Sequence, residues 1–165
     1  MNTPKNQPGR DIMLRYPKLF ARAFLESPTP TPIAAGFECG EGWWPIIEDL
    51  CIYLTDQRIP LRFYQIKQER GGLCLDYAYT EKVHRETEEL VFDAVDRALT
   101  RSSHTCEQCG APGSRQSISG QTIVVCPYHE VLQRRREVKE LTEELEKVQY
   151  NPSDHNAVEK TTTGS

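Results

Sequence analysis

The stretch CEQCGAPGSRQSISGQTIVVCPYH, residues 106–129, decides how the second half of the chain folds. It opens on Cys106 and Cys109, two residues apart, and closes on Cys126 and His129 at the same spacing. Three thiolates and an imidazole in two close pairs are the donor set that tetrahedral zinc prefers. The sixteen residues between the pairs are enough to go out and return as a short hairpin around Ser119–Gly120. Gly110 permits the tight backbone that turns amide groups toward sulfur. The second pair stands at the start of a helix, where the dipole favours a thiolate. His104 is too close to Cys106 to join the same turn, and His84 and His155 have no cysteine beside them, so His129 is the fourth ligand. Four protein ligands close the shell and leave no position for a reacting water, which makes the zinc structural. Its removal is expected to unfold residues 103–130 and to leave the preceding part standing.

Working outward, TEKVHRETEELVFDAVDRALTRS (80–102) has the 3.6-residue apolar period of a helix. Thr80 is its expected cap, and Val83, Leu90, Val91, Ala94, Val95, Ala98 and Leu99 form its stripe. Before it, aromatic and β-branched runs on either side of Gly71 and Gly72 predict a hairpin, 62–68 with 73–79. PIIEDLCIYLTD (45–56) starts on proline and sets Ile47, Leu50, Cys51 and Leu54 on one helical face. SPTPTPIAAG (27–36) is expected to be a stiff extended spacer. DIMLRY and KLFARAFLE are short helical turns broken at Pro17. Beyond His129 a second long helix carries Val131, Val138, Leu141, Leu145 and Val148 as a seam of barely two heptads, suited to docking or self-association.

The expected fold is therefore α+β. It has a disordered N-terminus (1–9), a helical and hairpin body (10–102), a zinc knuckle–hairpin–helix unit (103–150) and a disordered tail (151–165). No apolar run approaches the ~20 residues of a membrane helix, and the N-terminus lacks a signal-peptide core, so no membrane partner and a cytoplasmic location are expected. In a reducing compartment the six cysteines read as ligands or core residues. Cys39, Cys51 and Cys74 have no partner at ligand spacing and read as inert.

The blocks YPKLF (16–20), CGEGWWPIIEDLC (39–51), FYQIKQERGGLCLDY (63–77), CEQCGAPG and CPYH occur in that order. Together they resemble a family of small uncharacterised zinc-binding proteins encoded by tailed phages and prophages, over about residues 11–130. The chain departs from that pattern at Arg70 and Cys74 and in the SPTPTP insertion. The resemblance implies phage origin and a zinc site, and it brings no activity with it.

Two further features bear on function. Trp43 and Trp44 open a helix and cannot point the same way; one packs, and the other is a candidate protein-binding anchor. Arg115, Arg134, Arg135 and Arg136 are candidate nucleic-acid contacts, set against an acidic continuation of the same helix and a net charge of −4. No pairing of His with Asp, Asn or Ser suggests a hydrolase or nuclease centre. The reading is thus an accessory protein that binds a host or phage protein, with nucleic-acid binding second and catalysis a distant third.

Overall fold

The structure is a computed structural model that describes residues 9–25 and 29–149. The expected disordered N-terminus, Gly9 apart, and the expected disordered tail lie outside the described residues. Four α-helices and two antiparallel hairpins succeed one another in an α+β arrangement.

Helix α1 (Arg10–Arg15) stops short of Pro17, and a 3-10 turn follows at Ala21–Phe24. The proline-rich segment is not a spacer. Pro32–Ala35 winds into a second 3-10 turn with proline at its start, and Ile33 is fully buried. One large apolar side chain among the prolines suffices to draw the segment onto the core. Helix α2 (Trp44–Asp56) buries Ile47, Leu50, Cys51 and Leu54 on the face that the spacing predicts. It ends with the Ile59 N–H donating to the Leu54 carbonyl at 2.9 Å and the Arg58 N–H to Thr55 at 3.0 Å. That double closure is a Schellman motif with Arg58 in the left-handed position, φ +52°.

Strands β1 (Leu61–Glu69) and β2 (Gly72–Tyr79) form the first hairpin, turning at Arg70–Gly71 with both residues at positive φ. β1 points Leu61, Phe63 and Ile66 inward, and Phe20 stacks on Phe63 with ring centroids 5.4 Å apart. Helix α3 (Arg85–Ser102) starts five residues later than expected. Thr80 is not its cap: its N–H and hydroxyl both donate to the Pro60 carbonyl, which pins the end of β2 to the start of β1. Val83 therefore precedes the helix and Leu90 is exposed, while Val91, Ala94 and Ala98 carry the buried stripe.

Strands β3 (Ser114–Ile118) and β4 (Gln121–Val125) turn at Ser119–Gly120, as the sequence suggests, and lead into α4 (Pro127–Gln149). The period-2 alternation of β4 divides two valines between two environments. Val124 belongs to the main core, and Val125 to a small cluster with Cys106, Ile118 and Cys126.

Candidate metal centre

That second cluster is too small to hold its segment by apolar burial, and its polar edge is where the cysteines converge. The knuckle closes through the Cys106 N–H donating to the Ala111 carbonyl at 2.7 Å and the Gly110 N–H to the Cys106 carbonyl at 2.9 Å. The second pair is built by α4. Cys126 precedes Pro127 at the first helical position, so His129 lies in the first turn. The donor atoms of Cys106, Cys109, Cys126 and His129 all lie within 4.8 Å of one another, an arrangement able to hold a metal ion. His129 Nδ1 is 3.3 Å from Cys126 Sγ and 3.5 Å from Cys106 Sγ, and the sulfurs of Cys109 and Cys126 are 3.8 Å apart. The backbone N–H of His129, aimed at Cys126 Sγ, leads the lowering of that thiol from 9.0 to about 6. A helix N-terminus thus favours the thiolate form that a metal needs.

The knuckle does not stand apart from the body. The chain at Glu38 pairs alongside β1, exchanging hydrogen bonds with Ile66 and Gln68, and then crosses to the cysteines. There the Gly42 N–H donates to the Glu107 carbonyl at 2.8 Å and the Gly40 N–H to Glu107 Oε1 at 3.0 Å. A Cβ on Gly42 would fall on the Cys106 carbonyl oxygen, and one on Gly40 on the Glu107 carbonyl oxygen. The glycines of CGEGWW are thus required by close approach to the knuckle. Burial raises the Glu107 carboxyl above its usual range, against the Gly40 N–H.

Trp43 completes the strap. It is fully buried, and its Nε1–H donates to the Thr105 carbonyl at 2.7 Å. Its candidacy as a protein-binding anchor is corrected: it offers no surface, because its ring fills the core and its one polar atom faces the knuckle. Trp44 is half-buried against the core, edge-on to Phe37 at 6.3 Å, and its Nε1–H is buried without a partner among the described residues.

The candidate nucleic-acid arginines scatter. Arg115 Nε donates to the Gly71 carbonyl at 2.9 Å, which joins the second hairpin to the turn of the first. Gln68 Nε2 reinforces that junction through the Thr122 carbonyl at 2.7 Å. Arg134 pairs with Glu130 at 3.0 Å and reaches Gln116. Arg135 and Arg136 are exposed. Four arginines therefore do not make one face, because two are committed to internal contacts.

The remaining cysteines are poor nucleophiles. Burial, with Glu107 nearby, pushes Cys39 up to about 12; burial raises Cys51 further, and Cys74 is raised by burial and by Glu69. The strap was missed in the sequence because its signal, two glycines before a tryptophan, names no partner 60-odd residues away. Comparison with known proteins finds no matching family model, no matching curated protein and no matching solved structure.

Proposed function

We propose that the chain is a phage-type accessory protein that carries one structural zinc ion and acts by binding another protein. The observation that carries the metal reading is the spacing of the donors. A tetrahedral shell with Zn–S of about 2.3 Å and Zn–N of about 2.0–2.1 Å needs sulfurs ~3.8 Å apart and sulfur–nitrogen separations of ~3.6 Å. The separations of 3.8, 3.5 and 3.3 Å lie within about 0.3 Å of that demand, and every other donor pair lies within 4.8 Å. Cys106, Cys109 and Cys126 would supply thiolates and His129 its Nδ1, and no position remains for water. Metal analysis of purified protein is expected to give one zinc per chain, and cobalt substitution a tetrahedral thiolate spectrum. Cys109→Ser and His129→Ala should each weaken retention. A wild-type chain that retains no metal would overturn the reading.

The binding surface is the free part of α4. Val138, Leu141, Leu145 and Val148 are 55–76% exposed, well past the hairpin. The last tie between α4 and that hairpin is the Ser119 N–H donating to Glu137 at 2.9 Å. The partner that this seam fits is a second, parallel copy. Glu130, Glu137 and Glu144 flank one side of the seam and Arg135 and Thr142 the other. Glu130 already pairs with Arg134 and Glu137 with the Ser119 N–H, so the preference for a parallel copy rests on avoiding the glutamate-against-glutamate contacts of an antiparallel one. Wild-type protein is expected to sediment as a dimer at high concentration, and the Leu141→Glu/Leu145→Glu variant as a monomer. A wild type that stays monomeric would remove the second copy as the partner.

A further inference from the structure

On the side where α2 ends and β1 begins lies an open cleft of about 830 Å³ that the metal centre does not touch. Its accessible floor is apolar: Pro17, Ala21 and Pro60, set over the buried Leu19, Leu54, Ile59 and Leu61. Its charged groups are Lys18, Arg58 and Arg62, and no carboxylate lines it. The neighbouring acids in sequence, Asp56 and Glu81, are exposed and outside the lining. The Phe63 N–H donates to the Leu19 carbonyl at 2.9 Å, so the wall bearing Lys18 is fixed along β1.

Two features stand next in sequence to the lining, Arg22 after Ala21 and Tyr64 two residues after Arg62 on β1. The ladder of β1 slips between Phe63 and Gln65, and such a bulge re-aims a side chain, here Tyr64. The Arg22 guanidinium lies over the Tyr64 ring, 5.8 Å from its centroid. Lys18, Arg22, Arg58 and Arg62 make no ion pair among the described residues, although the chain as a whole carries a net charge of −4. Arg58 occupies the left-handed position of the α2 C-terminus, φ +52°, a conformation that Arg70 and Ser119 share at the hairpin turns, and its side chain lines the cleft.

We infer that this cleft binds single-stranded nucleic acid. Phosphates meet Lys18, Arg58 and Arg62, and an unstacked base finds the apolar floor or the Tyr64–Arg22 pair. Cations interleaved with an aromatic ring are the chemistry that tracks a single strand. A duplex hides its base faces and cannot use the floor. The inference goes beyond the α4 reading and does not rest on it, so a monomeric chain would leave it intact.

The test is fluorescence anisotropy of a labelled single strand of about twelve nucleotides, as DNA and as RNA, titrated with the full zinc-loaded chain at two salt concentrations. Wild type is expected to bind with a steep salt slope. Lys18→Glu/Arg62→Glu should lose affinity about tenfold or more, and its slope should fall by about 1.4. Arg58→Gly should bind several-fold more weakly while melting no lower than wild type, which a merely structural role for Arg58 would not produce. Arg135→Glu/Arg136→Glu should bind as wild type does. Absence of binding at low salt overturns the proposal. So does loss in the Arg135/Arg136 variant equal to that in the cleft variant. Equal displacement by poly-glutamate or by duplex overturns it as well, since either would mark an unspecific polyanion surface.

Discussion

At the scale of single residues the two tryptophans make opposite demands. Trp43 donates to Thr105, so Trp43→Phe strands a half-buried carbonyl and should cost ~1–3 kcal/mol. Among the described residues Trp44 has no partner for its buried N–H, so Trp44→Phe removes an unsatisfied donor and should cost little or nothing. Chemical denaturation of the two variants checks the contrast. Gly42→Ala must push the Cys106 carbonyl aside and should destabilise by ~1–3 kcal/mol. Arg58→Gly relieves a left-handed arginine and should stabilise by ~1 kcal/mol. The convergence of the candidate metal ligands was legible in the sequence because their pattern is local: two pairs, each within one turn. The roles of Trp43 and Arg115 were not, since each is decided by a backbone carbonyl far along the chain, at Thr105 and Gly71. No residue pattern encodes a carbonyl acceptor.

At the scale of elements, periodicity located both hairpins, α2 and the long helices, because apolar residues recur on one face of each, whether that face meets the core or, as in α4, does not. Boundaries failed where a side chain had a better distant partner. Thr80 is chemically a good helix cap, but the Pro60 carbonyl claims its N–H and hydroxyl, and α3 begins later. The proline-rich segment misled in the same way: its composition denies regular structure, yet Ile33 is fully buried. Ile33→Ala should therefore cost ~2–5 kcal/mol by denaturation, where a spacer residue would cost almost nothing. α4 shows the reverse. Its seam was plain in the sequence, and among the described residues nothing covers it beyond Glu137. An exposed apolar stripe on a helix leaving its body is the kind of surface on which the proposed self-association would rest.

At the scale of the whole molecule, the cysteine–histidine cluster and the body hold each other. The strap of residues 38–43 runs from β1 to the knuckle, Val124 reaches into the main core, and Gln68 and Arg115 tie the hairpins together. Zinc binding is worth ~10–16 kcal/mol in small modules, far more than the four-residue cluster beside it can supply. The sequence suggested that removing the metal would unfold residues 103–130 alone. The strap extends that expectation, because the Gly40 and Gly42 N–H groups both donate to Glu107, inside the knuckle. The most direct test is hydrogen exchange on zinc-loaded and chelator-treated protein, read at single amides. The account expects residues 104–130 to lose protection together with Gly40 and Gly42, while the interior of α2 and the β1–β2 ladder keep theirs. Unchanged protection across 104–130 after the metal is gone would contradict it.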